Sequence, residues 1–214
     1  MTLRALLKSG GDSLLRTGGA VGLGFLALRA VQSGRAFAVD GSGDTSPGGW
    51  TPMPDPADPS VESPPFSTTL TATERAHLET FDELDFDVFS HHDWTRLSES
   101  HAERIRVHWP DGHYTDGIDR HAEDMAALAV WAPDLRIEVH PLRVAKDELT
   151  AVMGVMRGTF TQPMPDGKGG TTAPTGKAFA LDMCTVGIWN RQGTMDEEFL
   201  FWDNQTFYQQ IGLA

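Results

Sequence analysis

Cysteine is nearly absent from this chain: Cys184 stands alone among 214 residues, which excludes an internal disulfide and leaves the redox compartment open. No uncharged apolar run approaches the ~20 residues that span a bilayer as a helix. The longest such stretch near the N-terminus is "GGAVGLGFLAL", Gly18 to Leu28. No internal repeat and no heptad pattern is present, which excludes solenoids and coiled coils. Basic charge is also scarce. Residues 1–38 hold Arg4, Lys8, Arg16, Arg29 and Arg35 against Asp12, so that this piece is about +4 and the rest carries −17 of a net −13. A body that acidic argues against a nucleic-acid partner.

What is there divides into three parts. Residues 1–38 read as a secretory signal or a membrane tether, with a basic start, the apolar run, and "AFA" at Ala36 to Ala38 as a small-x-small cleavage site. The expected location is secreted or periplasmic, or tethered at a membrane through this segment. Residues 39–68 are an expected disordered linker, because 39–66 hold seven of the thirteen prolines and five acids without one base. The folded domain is expected over 69–214.

Within it the hydrophobic period alternates between helix and strand. Thr71 and Glu74 have capping-box spacing, and Leu78, Phe81, Leu84 and Val88 form one helical stripe. A short second helix is expected over His92 to Ser98. "RIRVHW" alternates Ile105, Val107 and Trp109 against Arg104, Arg106 and His108, a strand. Ile118, Ala122, Met125, Leu128, Ala129 and Ala132 make a third helical stripe that Pro133 ends. The period then falls to two: a strand through Leu135, Ile137 and Val139, a turn at Lys146–Glu148, strands over 149–161, 177–189 and 195–203, and a closing helix over 205–211. This order predicts an α+β fold in which a curved antiparallel sheet packs on helices.

Several side chains carry possible chemistry. Asp203 ends the apolar stretch "FLFWD", where desolvation would raise its pKa and make it a base; with equal weight, it is the N-cap of the last helix. Asp182 interrupts "FALDMCTV", and alternation sets it with Ala180, Cys184 and Val186, as a structural or solvated residue. The histidines do not form a metal site by spacing: His91 and His92 point to different sides of a helix, and no pair stands at i and i+4. His101, His108 and His113 are candidate polar groups of a pocket.

"PDGHYTDGIDRH", "APDLRIEV", "GVMRGTFTQPM", "APTGKAF" and "GTMDEEFLFWDNQTFYQQIGL", in that order, resemble the SnoaL-like polyketide cyclase (ester cyclase) family of the nuclear transport factor 2-like superfamily. The resemblance implies a cone-shaped α+β barrel with a deep pocket on the concave side of the sheet. It also implies a cofactor-independent and metal-free acid/base enzyme, acting by intramolecular aldol condensation or isomerisation on a small hydrophobic carbonyl compound. By motif, Asp203 takes the catalytic aspartate's place, with His101, His108 or His113 as helper. Trp109, Trp131, Met153, Met183, Thr185 and Phe201 are the candidate substrate-binding residues. The alternatives are a secreted protein that binds a hydrophobic small molecule without catalysis, and an interaction domain that forms homodimers through its sheet.

Overall fold

The computed structural model describes residues 55–166 and 168–214; the expected signal or tether at 1–38 and linker residues 39–54 lie outside the described residues.

Helix α1, Ala72–Glu83, starts with both arms of the capping box: Thr71 Oγ1 accepts from the Glu74 amide at 3.2 Å, and Glu74 Oε2 accepts from the Thr71 amide at 2.8 Å. Glu74 Oε1 also accepts from the Asp147 amide at 3.1 Å, which ties the helix to the turn at Lys146–Glu148. The amides of Thr71 and Asp147 hold this carboxyl down to about 2. The stripe Leu78, Phe81, Leu84 and Val88 is buried as its spacing requires. The helix does not stop at Glu83. It runs into a π-helical turn, Leu84–Phe89, whose wider winding buries Leu84, Asp85, Val88 and Phe89 together.

The expected second helix is a 3₁₀ turn, Trp94–Glu99, and begins later than predicted because His92 has φ of 57°, a left-handed conformation that no helix continues through. Helix α2, Ile118–Trp131, and helix α3, Asn204–Gln210, stand where the apolar spacing puts them.

The main strands are β1 (His101–His108), β2 (Tyr114–Asp116), β3 (Arg136–Ile137), β4 (Leu142–Lys146), β5 (Leu149–Thr159), β8 (Ala178–Trp189) and β9 (Met195–Phe201), while β6 (Met164–Pro165) and β7 (Thr171–Thr172) form a separate small pair. Their order is β2-β1-β9-β8-β5-β3, with β4 also on β5. One pairing departs from the antiparallel expectation. β1 runs parallel to β9, so the sheet is mixed. Hairpins dictate antiparallel pairing only between consecutive strands, such as β8 and β9 across Gly193, and β1 reaches β9 over most of the domain. The expected strand through Val139 is cut to two residues. His140 precedes Pro141, which restricts its backbone, and turns its ring into the interior before β4 begins.

Alternation on β8 is as read from the sequence: Phe179, Leu181, Met183, Thr185 and Trp189 are buried on the concave face, and Asp182, Cys184 and Val186 are half-buried behind it. α1 packs on β4 and β5, and α2 on β1. Two apolar clusters fill the space between helices and sheet. One gathers Leu78, Phe81, Ile105, Val107, Trp189 and Leu200; the other gathers Met125, Trp131, Met156, Phe160, Phe179 and Phe207.

Residues 55–68, expected as linker, lie against β3, β4 and β5. Ser63 Oγ accepts from the His140 amide at 2.8 Å, Arg143 donates to the Pro64 carbonyl and sits 4.1 Å over the Phe66 ring, and Arg157 donates to Pro56 O at 3.0 Å. Among the described residues no helix is long and apolar enough to cross a membrane.

Candidate active site

Where the two apolar clusters meet, between the π-helical turn after α1, α2, and the concave faces of β5, β8 and β9, lies a narrow cavity; the atom-free space in and around it, open solvent at its mouth included, is about 480 Å³. Leu84, Phe89, Met125, Met156, Met183 and Leu200 make its wall apolar, and Thr185, His101, His121, Glu198 and Asp85 are its polar groups.

Glu198 is the centre. Strand alternation turns it inward with Leu200, while Glu197 and Phe199 face out, and 4% of its surface is exposed. Its Oε2 lies 3.5 Å from His101 Nε2 and 3.5 Å from His121 Nε2. His101 is the first residue of β1, and its Nδ1 donates to the Leu97 carbonyl at 3.2 Å beside Ser100 Oγ at 2.9 Å, which aims Nε2 at the carboxylate. His121 comes from the first turn of α2, one turn before Met125, and the two imidazoles stand 4.9 Å apart.

Burial pushes the Glu198 carboxyl up, but the His101 and His121 imidazoles 3.5 Å away outweigh it and leave the pKa below the ordinary value. Burial takes His121 the other way. Loss of hydration lowers it to about 4, against the opposing pull of Glu198. At neutral pH the cavity thus holds an ionised carboxylate beside a neutral imidazole. At 3.5 Å its contacts are long for hydrogen bonds, and among the described residues His101 Nε2, His121 Nδ1 and Glu198 Oε2 are buried without a hydrogen-bond partner.

A second polar group backs the cavity wall. Asp85 Oδ2 lies 2.8 Å from His140 Nε2, His140 Nδ1 lies 2.7 Å from Asp82 Oδ1, and Arg143 donates to the other oxygen of Asp82.

The structure divides the residues singled out in the sequence. His101, Met183 and Thr185 line the cavity. Trp131 is buried in an adjoining cleft that shares Leu128, Met156 and Trp202 with it, and Trp109 packs against both apolar clusters, its ring 6.2 Å from that of His121. The others lie elsewhere. The Asp203 carboxylate is exposed: it accepts from the Gln205 amide at 2.8 Å and the Thr206 amide at 3.2 Å, and caps α3. The bonds from Thr206 and Gln205 lower its pKa, the reverse of the expected desolvated base.

His108 is on the outer face of the sheet, stacked 4.2 Å from Phe199 and bonded through Nε2 to Glu197 at 2.8 Å. His113 is exposed in the turn after β1, beside Asp111. Met153 and Phe201 both pair with Cys184 across the outer face and cannot reach the cavity; Phe201 is 53% exposed. Glu198, His121 and Asp85 were not singled out as site residues, although two of them, Glu198 and Asp85, left a trace. Glu198 alternates with Leu200 and Trp202, and Asp85 follows Phe81 at i+4 on the α1 stripe. The spacing argument against a metal also has a limit. Donor atoms of His101, His121 and Glu198 all lie within 4.8 Å of one another, although they come from β1, α2 and β9.

Comparison with known proteins gives the family. No curated protein matches the chain. Among solved structures, a candidate SnoaL-like polyketide cyclase from Jannaschia sp. CCS1 is 18% identical over 69% of this chain and 99% of its own, with a TM-score of 0.60. IdmH, a candidate polyketide cyclase from Streptomyces antibioticus, is 23% identical over 64% of this chain and 98% of its own, with a TM-score of 0.54. A candidate polyketide cyclase from Xanthomonas campestris pv. campestris is 13% identical over 65% and 99%, at 0.56. At such identities these likenesses establish the fold. The family description "SnoaL-like polyketide cyclase" matches residues 81–211, more than half of the sequence. With the α1 cap, the curved sheet and the enclosed cavity all inside or adjoining that span, the chain belongs to the SnoaL-like polyketide cyclase family and has the nuclear transport factor 2-like fold.

Proposed function

We propose that this protein is an acid/base enzyme that needs no cofactor and removes a proton next to the carbonyl of a small apolar substrate, leading to ring closure or isomerisation. Glu198 is the base. The observation that carries the reading is a carboxylate 4% exposed in an apolar cavity, its Oε2 without a hydrogen-bond partner among the described residues and two imidazole nitrogens 3.5 Å from it. A buried charge held by such long contacts costs folding free energy, and groups of this kind collect at functional sites. Neutral His121 and the Nε2 of His101 orient the carboxylate and line the path of the incoming carbonyl.

The test uses extracts of small molecules from the producing cells and medium, incubated with the purified protein and followed by mass spectrometry. A metabolite consumed to a product of equal mass or one water lighter is expected with the wild type and with Asp203→Asn. Glu198→Gln should slow the conversion by at least ~100-fold. Full conversion by Glu198→Gln would remove Glu198 as the base.

The donor geometry favours a second reading. Ligands about 2.1 Å from a tetrahedral zinc stand about 3.4 Å apart, close to the two 3.5 Å separations here. A divalent transition cation on His101, His121 and Glu198 would polarise the carbonyl as a Lewis acid. Cobalt(II) titration separates the readings: visible bands of a tetrahedral site that vanish in His121→Ala support the metal, and a featureless spectrum supports the base alone.

A further inference from the structure

The narrow cavity that holds Glu198 and the cleft beside it share one partition. The atom-free space in and around the cleft, open solvent included, is about 850 Å³, against about 480 Å³ in and around the cavity. Leu128 of α2, Met156 of β5 and Trp202 line both. Leu128 and Met156 can change rotamer without moving the backbone, whereas the Trp202 indole is held. Its Nε1 donates to Asn204 Oδ1 at 2.7 Å, and its ring stands edge-on to Trp109 at 6.5 Å. A passage from cleft to cavity therefore runs past a fixed indole and between side chains that must part, which suits a slim chain and not a fused ring system.

The lining of the cleft states what it can hold. Trp131 ends α2, Phe207 of α3 stands 5.5 Å from its ring, and Tyr208 stands 5.5 Å from Phe207. Met164 and Pro165 of β6 add apolar surface. Faces and edges of this kind pack well on another aromatic ring. Among the described residues that line the cleft none is charged, so a neutral occupant loses least on entering. One polar group has a defined orientation. An indole N–H only donates, so Asn204 turns its oxygen to Trp202 and keeps its NH2 group as a donor, which suits an acceptor oxygen on the occupant.

We propose that the cleft is a second substrate subsite and that the substrate is an aryl-alkyl ketone. A slim, carbonyl-bearing arm reaches past Leu128, Met156 and Trp202 to Glu198, while a neutral aromatic head with an acceptor oxygen stays in the cleft. This rests on the reading of Glu198 as the base, and goes further by dividing the substrate between two spaces. Trp202 belongs to both spaces and sets the specificity. The head is bound where no bond changes, and its burial supplies binding energy that places the carbonyl beside the carboxylate. A ketone set within fused rings has similar apolar surface but no arm, and leaves its carbonyl in the cleft.

Two measurements on the full chain test this, one of binding and one of proton removal. Equilibrium dialysis uses nabumetone, a methoxynaphthalene with a butanone arm. The wild type is expected to bind it, and Ala127→Trp, which fills the cleft from an exposed position of α2, should weaken that binding by at least ~10-fold. No binding by the wild type, or equal binding by Ala127→Trp, overturns the subsite. The second follows deuterium exchange from heavy water into the positions next to the carbonyl. Below saturation, nabumetone should exchange at least ~10-fold faster than either butanone or 2-tetralone, whose ketone is inside the fused rings. Trp202→Ala should bring 2-tetralone toward nabumetone, and Ala127→Trp should raise KM for nabumetone more than it lowers kcat. Equal exchange of nabumetone and butanone by the wild type leaves the aromatic head without a role and overturns the proposal even where Glu198→Gln stops the reaction. Nabumetone that binds in an Ala127-dependent way, yet exchanges equally in wild type and Glu198→Gln, removes Glu198 as the base and keeps the cleft as a binding site, so the two failures are distinct.

Discussion

Asp203 and Glu198 are carboxylates five positions apart at the end of one strand, and their surroundings give them opposite uses. Asp203 stands in water and accepts two amides of α3, so its negative charge is already spent on a helix start. Replacing it with alanine should lower the melting temperature and leave turnover at the wild-type level, as read by thermal unfolding and the metabolite assay on one preparation. His121 allows a prediction about pH. Its folded pKa is about 4 against an ordinary 6.5, so the unfolded chain takes up a proton first. Its contribution to stability is therefore present above pH 6.5, falls between 6.5 and 4, and amounts to roughly 3 kcal/mol in all. Urea unfolding across that window should show a steep loss in the wild type and a shallower one in His121→Gln; parallel curves would mean that His121 is hydrated in the native state. The sequence showed both carboxylates but not which one is buried. Motif position selected Asp203, whereas alternation with Leu200 marks Glu198, and alternation reports the face directly.

At the scale of elements, periodicity identifies faces and leaves partners open. The stripes of α1 and α2 and the alternation of β8 were legible because each is long enough to repeat. The parallel pairing of β1 with β9, the π-helical turn and the break at His140 were not, because each depends on what lies across the fold. The π-helical turn matters to the site. Its extra residue lets Leu84 and Asp85 face the interior side by side, so the apolar stripe continues while a carboxylate reaches the cavity. Close packing beside the site gives another prediction. A Cβ at Gly187 would lie 2.6 Å from Met195 Sδ, 3.0 Å from Thr150 Oγ1 and 3.1 Å from Trp189 Nε1, and the last two atoms already share a 2.9 Å hydrogen bond. Gly187→Ala should cost about 1–3 kcal/mol of stability by overpacking. Chemical denaturation checks it, and an unchanged midpoint would show that Met195 swings aside without cost.

For the molecule as a whole, composition located the change from proline-rich acidic chain to periodic chain near residue 69, but the packed domain reaches further toward the N-terminus. Proline and acid content predicts poor burial by a segment on its own; it does not register arginines elsewhere that need acceptors. Arg143 and Arg157 find theirs in the carbonyls of Pro64, Pro56 and Asp58, and Ser63 satisfies the amide of His140. Arg143 also fixes Asp82, which bonds His140, which bonds Asp85 in the cavity wall, so residues 55–68 are linked through side chains to the site. A chain that begins at residue 69 should therefore be less stable than one that begins at residue 55, by a few kcal/mol for the lost charged hydrogen bonds and the uncovered Arg143. It should also titrate Asp85 differently, because hydration of Arg143 weakens its hold on Asp82. Thermal unfolding of the two chains, with carboxyl NMR on both, reads the two effects separately. Equal melting temperatures would make residues 55–68 a surface covering, and a stability loss without a change at Asp85 would confine their influence to the sheet edge.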